Sequence, residues 1–76
     1  MNTKPLSLDQ PAHYRLRLQG RLKADWTDWL LEASAVFEDD QTILTGTVRD
    51  QAALFGLLSF VRDLGSPLLS VEYIPD

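Results

Sequence analysis

The segment ADWTDWL, residues 24–30, decides how the first half of the chain is expected to fold. Asp25 is a residue type that often caps helices, and the apolar residues after it share one helical face by their i, i+3, i+4 spacing: Trp26, Trp29 and Leu30. This pattern predicts a short helix. The tryptophans then either fill a small core or form part of a binding surface, and we expect at least one of them to be buried.

Strands are predicted on both sides of this segment. Residues 14–22, YRLRLQGRL, alternate apolar and polar side chains with the period of two that is typical of a strand with one buried face. Two further strands are predicted near 33–38 and 41–48, separated by the acidic turn EDDQ. A last strand is predicted in LLSVEYI, residues 68–74.

A second helix is predicted in DQAALFGLLSFVRDLG, residues 50–65. Asp50 is the expected N-cap, and Gly65 stands where a C-terminal glycine belongs. An apolar stripe at helical spacing runs along one side: Leu54, Leu57, Leu58, Val61 and Leu64. Pro67 then prevents the helix from continuing.

The resulting order, βαββαβ, predicts an α+β domain of the ferredoxin-like, split βαβ type. Its four-stranded antiparallel sheet would carry both helices on one face, with the first strand beside the last. We expect residues 1–12 to form a flexible leader and residues 13–76 a single domain. The positions expected to face the helices are Tyr14, Leu16, Leu18, Val36, Leu44, Leu69, Val71 and Tyr73.

Composition excludes several kinds of site. The 76 residues include no cysteine and one histidine, so a disulfide scaffold, a thiolate metal site and a cysteine nucleophile are excluded. We expect no cofactor, no metal ion and no catalytic residues. No apolar run approaches the roughly 20 residues that cross a bilayer, and no signal peptide is recognisable, so a cytoplasmic protein without membrane association is expected.

Charge and size bear on the expected partners. The net charge of −4 argues against nucleic-acid binding, which depends on neutralising phosphates. A chain this short buries a thin core, and packing apolar surface against a second copy is one way to compensate. We therefore expect a homo-oligomer, most simply a two-fold dimer, with a further protein partner as an open possibility.

Three surface residues are candidate interaction sites in addition to the tryptophans. Arg15 and Arg17 lie on the sheet face away from the helices, where Glu72 on the last strand is expected to pair with one of them. That face lacks the aromatic residues with which RNA-recognition modules stack bases. Phe55 lies about 100° around the helix from Leu54 and is expected to point toward solvent, which makes it a candidate contact residue.

Several separated motifs together resemble one protein group. RLQGRL, DWTDWL, TILTGTV and DQAALFGLLSFVRDLGSPLLSV occur here in the same order as the corresponding stretches of small uncharacterised bacterial proteins. These proteins share a W-S/T-D-W element and a DQAALHGLL…RDLGLPLLSV-type helix–strand ending. The resemblance covers roughly residues 13–74 and implies no particular activity. Phe55 replaces the histidine that often stands in that helix, so a role for an imidazole there does not transfer.

These observations favour a small cytoplasmic binding or assembly module that acts through protein–protein contacts as a homodimer. The alternative is a small-ligand sensor with its site near Trp26 and Trp29 or in the dimer cleft. A third possibility is a small enzyme with an active site at a subunit interface, which rests on analogy between folds alone.

Overall fold

The computed structural model describes residues 5–75 as one sheet with one helix. The elements are β1 (Ala12–Gln19), β2 (Leu31–Glu38), β3 (Gln41–Val48), α1 (Gln51–Leu64) and β4 (Leu68–Ile74). The strand order is β2-β3-β1-β4, and all neighbours are antiparallel. Residues 1–4 of the predicted leader and residue 76 of the predicted domain lie outside the described residues.

The prediction of a two-helix ferredoxin-like fold is wrong. The α+β class and the four-stranded antiparallel sheet are as predicted, but α1 is the one helix in residues 5–75. Residues 27–29 form a turn instead, in which the N–H groups of Trp29 and Leu30 both donate to the carbonyl oxygen of Trp26. β2 begins directly afterwards at Leu31, and a helix nucleus this short has too few propagating hydrogen bonds to offset its entropy cost.

One face of the sheet carries the core. On β1 the side chains alternate between the two faces, and Ala12, Tyr14, Leu16 and Leu18 are buried. Leu16 lies opposite Leu44 on β3 and opposite Val71 on β4, so β1 is the centre of this layer. The predicted burial of Val36 is wrong: it pairs with Ile43 on the opposite face and is 50 % exposed.

Helix α1 closes the core from above. Asp50 caps it by accepting a hydrogen bond from the N–H of Ala53 at 2.7 Å, and Gly65 ends it with a φ of 80° in the left-handed region. Its buried side chains, which face the sheet, are those of Leu54, Leu57 and Val61. No helix in the described part of the chain has the length and apolar character needed to cross a membrane.

A two-residue turn joins β2 to β3. Glu38 pairs with Gln41, and the residues between them, Asp39 and Asp40, have φ values of 51° and 60°. Two successive left-handed residues form the type I′ turn, whose twist matches that of a hairpin. Aspartate tolerates this backbone better than most residues, which explains the acidic turn in the sequence.

The contact between Trp29 and Gly56 holds the turn of residues 27–29 against α1. A Cβ atom placed on Gly56 would lie 2.5 Å from Cζ3 of Trp29, so only glycine allows the indole ring this close to the helix backbone. Phe60 lies beside the same ring, with centroids 5.9 Å apart, and contacts Trp26 edge-on at 5.6 Å. These aromatic rings pack together against α1 in the part of the chain where a first helix was expected.

We expect Gly56→Ala to lower the free energy of unfolding by roughly 1 kcal/mol, measured by urea denaturation. The overpacking cost of about 1–3 kcal/mol exceeds the gain of about 1 kcal/mol in helix propensity. Ser59→Ala, on the exposed side of α1, is the matched control and should leave stability unchanged or slightly higher. A Gly56→Ala protein as stable as the wild type would contradict the close contact.

Candidate interaction surface

The two tryptophans belong to the connection between β1 and β2, and they pack against one flank of α1. Trp26 is 5 % exposed and belongs to the core, and Trp29 is half-buried against it. Both rings contact Phe60, and the ring of Trp29 also lies against the backbone of Gly56. Trp26 therefore fills the core, and Trp29 presents part of its ring at the protein surface.

The arginines lie on the open face of the sheet. Arg15 donates from Nη1 to Oε1 of Glu72 at 3.1 Å, which confirms the pairing expected between the first and last strands. Arg17 lies opposite Ser70 on β4 and Ile43 on β3. Both partners of the ion pair are partly solvated, so its contribution to stability is about 0.2–1 kcal/mol.

Phe55 lies on the flank of α1 opposite the tryptophans and is 62 % exposed. Helical geometry places it on the same side as Gln51, Leu58 and Arg62. Gln51 donates from Nε2 to the hydroxyl oxygen of Tyr14, whose ring contacts Tyr73 on β4 at 5.7 Å. The Phe55 flank therefore faces β4, the edge strand beside β1.

A groove of about 400 Å³ runs between this flank of α1 and the beginning of β4. Leu58, Val61 and Arg62 line it from the helix, and residues 65–68 line it from the connection to β4. The apolar residues around and beyond the groove form what we name the α1–β4 surface: Phe55, Leu58, Leu68, Val71 and Tyr73. Apart from half-buried Leu58, these side chains are 36 to 62 % exposed.

The exposure of β4 has a simple structural origin. The sequence pattern predicted Val71 and Tyr73 to face the helices, and both do lie on the helix-bearing face, opposite Leu16 and Tyr14. Helix α1, however, lies over the centre of the sheet, since the core beneath it is built from β1 and β3. A single helix does not reach the β4 edge. The sequence did contain one indication of this exposure. The first predicted helix was short, and without it half of the helix-bearing face of the sheet has no helix packed on it.

The histidine lies at the other end of β4. His13 Nδ1 is 2.7 Å from the hydroxyl oxygen of Thr47, and both residues line a small polar cavity of about 140 Å³ together with Tyr73 and Ile74. Among residues 5–75, the residues that line this cavity include no carboxylate. Across residues 5–75, no three side chains of the metal-binding types His, Cys, Asp and Glu come together.

Asp25 stabilises the turn that replaces the first helix. Its carboxylate accepts hydrogen bonds from the hydroxyl and from the backbone N–H of Thr27. The hydroxyl bond is the larger of the two causes that hold the pKa of Asp25 below its usual range. This stabilisation is present above the pKa of the unfolded chain and is lost as the pH falls through the lower pKa of the folded protein.

We expect Thr27→Val to raise the pKa of Asp25 toward its ordinary value, because the variant keeps the backbone donor and loses the hydroxyl. Carboxyl ¹³C chemical shifts followed through an acid titration measure this directly. Thr45→Val, on the open sheet face, is the control and should leave the Asp25 midpoint where it is in the wild type. An unchanged midpoint in Thr27→Val would show that the hydroxyl bond has no part in the shift.

Comparison with known proteins identifies one family. No curated protein and no solved structure matches the chain. A family model described as a domain of unknown function, DUF8691, matches residues 13–72, which include β1 except its first residue and reach into β4. The chain therefore belongs to the DUF8691 family.

Proposed function

We propose that this chain is a small binding or assembly module that acts through protein–protein contacts as a homodimer, without a catalytic centre of its own. We place it in the cytoplasm of bacteria, among the small proteins with the W-S/T-D-W element and the DQAALHGLL…RDLGLPLLSV-type ending. The α1–β4 surface is the part of the molecule that makes the contact.

The observation that carries this proposal is the number of exposed apolar side chains that α1 and β4 present on the side of the molecule that holds the groove. Single exposed apolar side chains are ordinary, whereas several of them near a groove are typical of interaction sites. Phe55 and Tyr73 bring aromatic rings to this set, and aromatic residues are enriched in the cores of protein interfaces. Arg62 borders the groove and supplies the polar rim.

The acidic side chains support a binding role over a catalytic one. Asp25 and Asp50 accept hydrogen bonds from backbone N–H groups, and Asp39 and Asp40 form the hairpin turn. General acid–base pairs require carboxyl groups converging on one site, and these carboxylates are spread over three separate turns and caps.

We expect the wild-type protein to sediment as a dimer of about 17 kDa, twice the chain mass of 8.6 kDa. Phe55→Ser should weaken self-association about tenfold or more, because it removes an aromatic ring from the contact. Phe55 is exposed in the monomer, so the variant should keep the wild-type circular dichroism spectrum.

Val36→Ser is the matched control for this experiment. Val36 is 50 % exposed and lies on β2, the edge strand on the other side of the sheet from β4. Its replacement removes a similar apolar side chain and should leave the dimer dissociation constant unchanged. A wild-type mass of one chain at every concentration, or equal effects of the two substitutions, would contradict the proposal.

A second candidate function is the binding of a small apolar ligand. The groove of about 400 Å³ has a volume within the range of ligand pockets and an apolar lining from Leu58, Val61 and Leu68. A ligand bound there should raise the melting temperature of the wild type, and Leu58→Asp should abolish that rise. A ligand whose effect is instead abolished by Trp29→Ala would place the site beside the tryptophans.

A further inference from the structure

We propose that two copies of the chain associate by pairing β4 antiparallel to β4 of the second copy, which extends the sheet to eight strands. Val71 lies at the two-fold axis, and both α1 helices lie on the same face. This inference rests on the proposed function, of which it specifies the partner, the contacting edge and the register.

The two edges of the sheet differ in how they resist pairing. Along β2, the register shifts between Leu31 and Ser34, and Glu32 has a left-handed φ of 53°. Together with the charges of Glu32 and Glu38, this irregular backbone is typical of an edge protected against pairing. The β2 edge is therefore a poor template for another strand.

The β4 edge has little of this protection. Its sequence, LLSVEYI, contains one charged residue, Glu72, and that charge is already paired with Arg15. The irregularity in its pairing with β1 falls at Leu69, near the beginning of the strand, and leaves the register from Ser70 to Ile74 continuous. An edge strand of this length and apolar character directs free N–H and C=O groups outward and is a template for pairing.

Full overlap of two such strands selects one register. The central residue of Leu68–Ile74 is Val71, so antiparallel alignment of the whole strand places Val71 opposite its own copy. Side chains directly opposite in a sheet share a face, which brings the exposed Val71 and Tyr73 of each copy next to the apolar edge of the other. The half-layer that α1 leaves uncovered is then shared between the two copies.

Charge complementarity supports the same register. With Val71 on the axis, Glu72 of one copy lies opposite Ser70 of the second copy. Within that second copy, Arg17 on β1 is the other neighbour of the same serine. Arg17 and Glu72 are then two strand spacings apart, about 10 Å between backbones, and the small serine between them leaves room for both long side chains. Moving the two-fold axis by one residue, from Val71 to Glu72, slides the two strands by two residues and would place Glu72 opposite its own copy, and like charges directly opposite are destabilising.

Single cysteines test the pairing directly, because the natural chain has none. Val71→Cys places one thiol of each copy at the axis, and Val36→Cys is the matched control, a comparably exposed valine on the other edge strand. A short bismaleimide, added where sedimentation shows the dimer, should cross-link Val71→Cys at least about tenfold faster than Val36→Cys, because adjacent thiols have a high effective concentration.

The outcomes separate this inference from the proposed function. Equal cross-linking rates, or no cross-link at Val71→Cys in a protein that still sediments as a dimer, would overturn the β4 pairing and leave the homodimer standing. A protein that is monomeric at every concentration would overturn both.

A charge reversal tests the register independently of any thiol. Arg17→Glu should raise the dimer dissociation constant about tenfold at low salt, with a smaller effect at high salt, because two symmetric copies lose the attraction together. Lys23→Glu makes the same charge change in the β1–β2 connection and should have no such effect. Equal effects of the two reversals would refute the placement of Arg17 beside Glu72.

Discussion

The packing of the Trp29 indole directly on the backbone of Gly56 is the contact on which the rest of this small fold depends. It allows a connection with a single turn to cover the sheet where a helix was expected. Large rings substitute for helix length: Trp26, Trp29 and Phe60 pack together beside α1, and Trp26 belongs to the buried core. The helix position that results lies over the centre of the sheet, and this position leaves the β4 side of the same layer open.

The local features of the chain were predictable because they depend on neighbouring residues. The limits of β3 and β4, the Asp50 cap and the Gly65 terminus of α1 are all as the sequence pattern predicts. The helix predicted around Trp26 failed for a non-local reason. The spacing of Trp26, Trp29 and Leu30 is helical, but Leu31 pairs with Thr47 on β3, and this strand pairing outweighs the weak helical preference of a short segment.

The candidate surface shows the same division between local and non-local information. Alternation identified Val71 and Tyr73 as residues of the helix-bearing face, and helical geometry identified Phe55 as outward-facing. Their convergence on one surface was not predictable, because it follows from where α1 lies across the sheet. Whether a strand residue is buried depends on what packs over it, whereas alternation in the sequence shows only on which face of the sheet it lies.

The central position of β1 has a consequence for how the chain folds. β1 is the first strand in the sequence, yet both of its partners, β3 and β4, come after it, and the contact between Arg15 and Glu72 joins residues 57 positions apart. Pairing between residues far apart in the sequence slows folding. An apolar strand that stays unpaired during this time is prone to aggregation. Arg15 and Arg17 interrupt the apolar residues of β1 with positive charge. Charges that interrupt an apolar strand in this way lower its tendency to aggregate before its partner strands have been synthesised.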